Sequence, residues 1–200
     1  MKLLAFTDLH GQNAHLERIR RAIARHKPDV VACVGDFTVF GRSTREMLSL
    51  INDLAAPVIL IHGNHEDEDE VRELLPLFPN IHFVHLAAVE LFGITFVGFG
   101  GGGFSRVEPV LERFAKQHPD VFGKNTVILC HAPPYETLLD EVDVGWHVGC
   151  ETLSSIIRRH RPLLALSGHI HECFHVHDTL AGVTLINPGP DGELIEIDDV

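Results

Sequence analysis

The chain has 200 residues, 45% hydrophobic and 22% charged, an ordinary composition for one globular domain, here taken as residues 1–200, and not one of a disordered chain. With 28 acids against 16 Lys and Arg the formal net charge is −12, which counts against a protein built to grip a nucleic-acid backbone. The 15 histidines call for a search for metal-binding and acid–base sites. The 4 cysteines, Cys33, Cys130, Cys150 and Cys173, form no CxxC pair, so zinc-ribbon spacing is excluded. The apolar stretch before Asp8 is too short for a signal-peptide core. No apolar run approaches the roughly 20 residues of a membrane span, and a cytoplasmic location is expected.

Residues 3–7 are an apolar run ending at Asp8 and read as a buried strand. Residues 13–27 carry Leu16, Ile19 and Ile23 on one helical face, and Pro28 ends the helix. Val30–Val34 reads as a second buried strand, closed by Gly35-Asp36. Ser43 is placed to cap a helix bearing Met47, Leu48, Ile51 and Leu54. Val58–Ile61 is a third strand, ending at Gly63-Asn64-His65. The order β-α-β-α-β implies a parallel sheet with helices packed on it. The acids 66–70 read as a helix N-terminus, where the helix dipole favours them. Residues 84–91 and Ile94–Phe99 are expected to pair around Gly93, with glycines at 100–103 following. Helices are expected over 107–118 and 152–160, and strands over 125–130 and 163–166. Antiparallel strands are expected over 174–177, Val183–Ile186 and 193–197.

Two local motifs fail on context. Gly98-x-Gly100-x-x-Gly103 matches a dinucleotide fingerprint. Its strand lies in a mid-chain hairpin rather than a leading βαβ unit, and no acid closes a following strand at the required spacing. A loop beside a site is the better reading. His171-Glu172-x-x-His175 matches the zinc-peptidase pattern, which needs a helix so that both histidines share a face. Phe174 and Val176 alternate as in a strand, which would hold the two histidines about 13 Å apart.

The third pattern is distributed along the chain. Asp8 and His10 follow the first strand, Asp36 the second, and Asn64 and His65 the third. His131 follows the strand at 125–130, and His169 and His171 the strand at 163–166. Ligands of open α/β sheets bind at that edge. Wet loops explain one or two polar residues there, not a set of metal-binding types without a Lys or Arg among them. Such a set holds either one ion with six groups or two ions sharing a carboxylate. Two ions about 3.5–4 Å apart clamp a phosphate-type centre and activate a shared water. The chain has no GxSxG elbow and no Walker-A lysine loop, which leaves metal-assisted hydrolysis as the leading reaction class. Elsewhere, His15, His26, His118 and His160 are expected on helix surfaces, and His175 and His177 on one face of a strand. Arg18, Arg20, Arg21 and Arg25 form a polar helix face.

The blocks Asp8-Leu9-His10-Gly11, Gly35-Asp36, Gly63-Asn64-His65-Glu66, His131 and Gly168-His169-Ile170-His171 resemble those of the calcineurin-like metallophosphoesterases, in that family's order and over nearly the whole chain. Asn187-Pro188-Gly189 is similar to the segment after the last block in small prokaryotic members. The resemblance implies an α/β fold, a four-layer αββα sandwich of two mixed β-sheets flanked by helices, with a dinuclear site at the strand ends. It implies that Asp8, His10 and His171 hold one divalent metal ion and Asn64, His131 and His169 the second, with Asp36 bridging. His65 is then no ligand; it protonates the leaving oxygen or steadies the phosphoryl charge. Mixed nitrogen and oxygen ligation suits Mn, Fe, Zn, Co or Ni.

Many phosphatases of that family continue the second block with an Asp-Arg pair. Here Val39 replaces the Asp that would orient His65, and Arg42 follows later. Arg42, in place of the usual Arg, is a candidate phosphate contact, and the His131-Ala132-Pro133-Pro134-Tyr135 and His147-Val148-Gly149-Cys150 segments resemble instead a small phosphodiesterase-like branch, which makes His147 a candidate for lining the substrate pocket. The resemblance thus implies hydrolysis of small-molecule phosphodiesters, nucleotide-type ones included, by a metal-bridging hydroxide. The competing expectation is a metal-loaded nucleotide-binding or scaffold protein with negligible turnover.

Overall fold

A computed structural model describes residues 1–198. The elements are, in chain order, β1 (Lys2–Phe6), α1 (Asn13–His26), β2 (Val30–Val34), α2 (Thr44–Asn52), β3 (Val58–Ile61), α3 (Glu68–Leu74), β4 (Ile81–Phe83), β5 (Ala87–Leu91), β6 (Ile94–Phe99), α4 (Pro109–Gln117), β7 (Thr126–Cys130), β8 (Glu141–Asp143), β9 (Trp146–His147), α5 (Glu151–His160), β10 (Leu164–Leu166), β11 (His177–Leu180), β12 (Val183–Ile186) and β13 (Glu193–Glu196). Of two large sheets, one has the order β13-β1-β2-β3-β4 and the other β11-β12-β10-β7-β6-β5, while β8 and β9 pair by themselves. Both large sheets are mixed. In the first, β1 to β4 run parallel and β13 lies antiparallel on β1. In the second, β6, β7, β10 and β12 run parallel between the antiparallel edges β5 and β11.

The apolar strands are buried on both faces, which is why they read as continuous hydrophobic runs rather than alternating ones. Leu3, Ala5, Val30, Ala32, Val34, Ile59 and Ile61 point inward and meet Phe96, Val127, Leu129, Leu164, Leu166 and Ile186 of the other sheet. Their neighbours Leu4, Phe6, Val31, Cys33, Val58 and Leu60 point outward against Leu16, Ile19 and Ile23 of α1 and Met47, Leu48 and Ile51 of α2. On the far side, Val97, Phe99, Ile128, Cys130 and Ala165 pack beneath Leu111 and Ala115 of α4 and Leu153, Ile156 and Ile157 of α5. Helix, sheet, sheet and helix layers follow from these alternations, as expected.

Several local expectations are corrected. Residues 84–91 are not one strand: β4 ends at Phe83 in the first sheet, and the chain crosses to the second through Leu86, at φ 49°. Ser43 stands at the N-cap of α2, but at φ 61° and without a side-chain cap bond. The strand expected over 174–177 is a single 3-10 turn at His171–Cys173, then a bend at His175, φ 63°. β11 begins only at His177, so His175 and His177 share no strand face. The closing strands do pair antiparallel, β12 with β11 and β13 with β1, but not as one group, since β12 also lies parallel to β10 and β13 joins the other sheet.

Because the layers meet through Ile59 and its inward neighbours, Ile59→Ala should leave a cavity that neither sheet can collapse into. A loss of about 2–5 kcal/mol is expected, read as a lower urea midpoint at unchanged slope.

Candidate active site

The parallel strands β1, β2, β3, β7 and β10 end on one edge, and the residues that follow them meet there. Register is set by backbone bonds between these ends: Asp8 N–H donates to Gly35 O at 3.0 Å, His10 N–H to Asp36 O at 2.9 Å and Gly168 N–H to His131 O at 3.0 Å. Asp8, His10, Asp36 and His169 have φ of 54°, 46°, 49° and 68°. Left-handed backbone at non-glycine residues costs on the order of 1–3 kcal/mol each and persists where the surroundings impose it. Gly63 has no such freedom of replacement, because a Cβ there would collide with Asp36 Oδ1 and its backbone nitrogen.

Asp36 is central and buried. Its Oδ1 accepts the His65 N–H at 2.9 Å. Its Oδ2 lies 3.4 Å from His131 Nε2, 3.9 Å from His65 Nε2 and 4.0 Å from His10 Nε2. Beside it, Asp8 Oδ1 lies 3.5 Å from His171 Nε2 and 3.7 Å from His10 Nε2, while Oδ2 accepts from Thr7 Oγ1 and the His169 N–H. The Nε2 atoms of His10 and His171 are 3.1 Å apart, and His131 Nε2 is 3.1 Å from Asn64 Oδ1. Asp8, His10 and His171 form one cluster with metal-binding reach, Asp36, His131 and His169 another, and His10, Asp36 and His65 a third that overlaps both. The expected ligand residues are thus brought together.

These atoms fit a pair of cations. Adjacent ligands about 2.0–2.2 Å from one ion stand roughly 3 Å apart, which is the spacing of the His10–His171 and His131–Asn64 pairs. Asp8 Oδ1 and His169 Nε2 are buried without a hydrogen-bond partner, and orphaned buried polar atoms are rare unless an ion or water satisfies them.

Hydrogen bonds at the remote ring nitrogens sort the histidines. His131 Nδ1 donates to Val34 O at 2.8 Å and His10 Nδ1 to Thr38 O at 3.3 Å. Each carbonyl holds a proton on Nδ1 and leaves the Nε2 lone pair facing the centre, as a metal ligand requires. His65 is the reverse. Its Nδ1 accepts the Phe40 N–H at 3.4 Å, so the neutral ring carries its proton on Nε2 and offers a donor. Phe40 also stacks on His65, with centroids 4.2 Å apart and planes at 15°. Backbone and ring of Phe40 thereby hold His65 where Val39 supplies no carboxylate.

The electrostatics follow from burial and close charges. Burial opposes the charged form of His131, but the hydrogen bond and charge of Asp36, with Asp8 and the Val34 carbonyl, outweigh it and raise the pKa to about 9. Burial pushes Asp36 upward, yet the bond and charge of His131 and the His65 N–H bring it down to about 2. Burial and then the neighbouring His131 charge lower His169 to about 4.

Sequence reasoning missed Glu66. Its side chain is buried, 8% exposed, and accepts from the backbone N–H groups of Asp36, Gly63 and Thr38 and from the Thr38 hydroxyl. It clamps the second and third strand ends together. Burial, then the Asp36 charge, push its pKa up to about 7 against those donors. The helix begins only at Glu68, with Asp67 as its cap, accepting the Glu70 N–H. Glu66 follows the Gly63-Asn64-His65 loop directly, and that adjacency was the available signal.

Other expected residues fall outside the cluster. Arg42 is exposed and lines, with His10, Asn13, Val39, Glu46 and Met47, a cavity of about 370 Å³ beside the centre. His147 Nδ1 is bonded to the buried Asp140 at 2.8 Å. Its aromatic neighbour is Tyr135, and among the described residues no hydrogen bond joins it to the cluster. His175 turns away near Gly189, so the zinc-peptidase pair does not converge. Away from the centre, His62, Glu68 and His85 also have metal-binding spacing. His85 Nδ1, however, accepts the Gly100 N–H at 2.8 Å, which leaves its proton on Nε2 facing Glu68 at 3.3 Å and no lone pair for a cation. His15 and His177 pair with Asp191 and Glu193.

Two layered sheets carrying paired His–Asp clusters at their strand ends define the class of metal-dependent hydrolases of phosphoester bonds. The chain belongs to the calcineurin-like phosphoesterase family, whose sequence profile matches residues 1–173. An uncharacterized protein of Methanocaldococcus jannaschii is 29% identical over 205 residues, covering 95% of this chain and 88% of that protein. A probable cyclic nucleotide phosphodiesterase of Synechococcus sp. is 23% identical over 159 residues, covering 76% of this chain and 61% of the relative. The crystal structure of a Thermus thermophilus protein superposes with TM-score 0.75 at 19% identity, covering 95% of this chain and 90% of that one. Among the described residues no helix is long and apolar enough to cross a membrane.

The raised pKa of His131 makes a pH prediction for the metal-free protein. Its contribution to stability is full below the unfolded value of 6.5 and is lost as pH rises through about 9. The lowered groups Asp36 and His169 have completed their contributions by pH 7. The melting temperature of metal-free protein should therefore fall between pH 7 and pH 9, and metal-free Asp36→Asn should lose most of that slope.

Proposed function

We propose that this chain hydrolyses phosphodiesters at a dinuclear centre in which Asp8, His10 and His171 hold one divalent ion, Asn64, His131 and His169 hold the other, and Asp36 touches both. The observation that carries this reading is the position of Asp36 Oδ2, which faces three imidazoles and no backbone donor. Bound there, the ions supply Lewis-acid polarisation of the phosphoryl group and activation of water. The chain's own residues do the rest. The Val34 and Thr38 carbonyls hold two imidazoles in the ligand tautomer. Asp8 and Asp36 carry the negative charge that matches the ions. His65 Nε2–H faces the centre as a hydrogen-bond donor to the charge that develops on the leaving oxygen. The cluster contains no Lys or Arg, which suits a singly charged diester better than a dianionic monoester. The four cysteines are buried and unpaired, which supports a reducing, cytoplasmic setting.

An aryl diester and the matching aryl monoester, assayed on protein loaded with each of several metals, test this. Faster turnover of the diester is expected. Preference for the monoester would contradict it, and negligible turnover with both ions bound would favour a binding or scaffold role.

His65→Ala should retain both ions. It should slow an ester with an alkyl or nucleoside leaving group by about 100-fold, the order lost with one preorganised hydrogen-bond donor, and slow a nitrophenyl ester far less. Equal losses on both would assign His65 to phosphoryl charge stabilisation instead. Asp36→Asn should abolish turnover while the protein stays folded, because the substitution keeps the shape and removes the shared charge. Near-normal turnover of metal-saturated Asp36→Asn would count against the bridge.

A further inference from the structure

Two phenylalanines at the centre are exposed and lie outside all three apolar cores. Phe40 is 76% exposed and Phe104 68%. Phe40 stands at φ 48° in the turn closed by the Arg42 N–H to Val39 O bond. One of its faces covers His65 at 4.2 Å and nearly parallel, so the other faces outward. Phe104 meets His169 edge to face at 4.6 Å and 60°. It is delivered there by Gly101, Gly102 and Gly103, with φ of 70°, 90° and 83°, a run of left-handed backbone that side chains rarely adopt. The glycine run that imitates a dinucleotide fingerprint is thus what sets Phe104 over the centre. Phe92, 64% exposed, makes no aromatic contact with a site histidine, so exposure alone does not mark these two.

Single exposed apolar side chains need no explanation. Two aromatic rings in contact with site histidines, contributing nothing to a core, call for a ligand to cover them. Metal ions and His65 grip any phosphoryl group alike, so selection must come from what the phosphate carries. A flat, outward-facing phenyl is matched by another flat ring, since stacking rewards planar overlap and tolerates variation in the ring.

We infer that Phe40 and Phe104 form an aromatic rim that binds a planar ring, of the nucleobase kind, attached to the phosphoester. This rests on the phosphoesterase reading and names its substrate class.

Calorimetric binding to manganese-loaded protein tests it without turnover, with adenosine 5′-monophosphate and ribose 5-phosphate as probes that share the phosphorylated ribose and carry a base or a hydroxyl at C1. Wild type should bind the nucleotide about tenfold more tightly than the sugar phosphate. Phe104→Ala should remove most of that difference and leave ribose 5-phosphate affinity unchanged, and Phe40→Leu, which keeps apolar cover on His65, should weaken the nucleotide more than the sugar phosphate. Equal affinity for the two probes in wild type would overturn the rim while leaving the phosphoesterase reading standing. Equal weakening of both probes in the variants would overturn it too, by assigning the rings to support of the centre. Binding of neither probe would overturn the rim, because a stacked base should hold the nucleotide, and would leave the phosphoesterase reading to the diester assay.

Discussion

Three carboxylates, Asp8, Asp36 and Glu66, are buried together at the strand ends, 2%, 2% and 8% exposed, and that is the constraint on which the site depends. Buried like charges cost several kcal/mol unless positive charge or hydrogen bonds compensate. Glu66 is compensated by backbone N–H groups, so it serves the fold by tying the second strand end to the third. Asp36 and Asp8 keep one oxygen each turned towards imidazole nitrogens. Without metal, a proton shared with His131 supplies part of the missing charge, which is why that histidine titrates so high. Divalent ions would replace that proton and satisfy the orphaned Asp8 and His169 atoms.

The same edge shows how backbone decides chemistry. Carbonyls behind His10 and His131 leave an Nε2 lone pair facing the centre, whereas the N–H behind His65 leaves an Nε2–H facing it. The imidazoles are otherwise alike and crowded together, His10 and His65 with centroids only 4.7 Å apart. The strained left-handed residues at Asp8, His10, Asp36 and His169 are held by bonds between neighbouring strand ends. The sandwich therefore acts as a jig, and the helices that seal its outer faces keep those strands in register.

Most of this was legible in the sequence, for a physical reason. Strands buried on both faces announce themselves as continuous apolar runs, and a turn residue marks where each ends, so Val30–Val34 and Val58–Ile61 could be read without structure. The polar residues after them were legible because so many metal-binding types at strand ends exceed what wet loops require. What failed was context that only packing supplies. Glu66 sits in an acidic run and resembles the first turn of a helix. The stretch after His171 alternates like a strand but bends away at His175, whose N–H bonds Asn187. Val84 to Leu86 reads like strand because apolar residues also serve where a chain crosses between sheets. The partner of His65 was invisible, since a backbone N–H leaves no mark in a sequence.

The central claim is that Asp36 joins two metal ions while His65 joins none. Anomalous diffraction from crystals grown with manganese tests it most directly. Two peaks should flank Asp36 Oδ2, one bounded by Asp8, His10 and His171 and the other by Asn64, His131 and His169, with the His65 ring still stacked on Phe40. A single peak at full occupancy, or His65 Nε2 within bonding distance of either ion, would contradict the account.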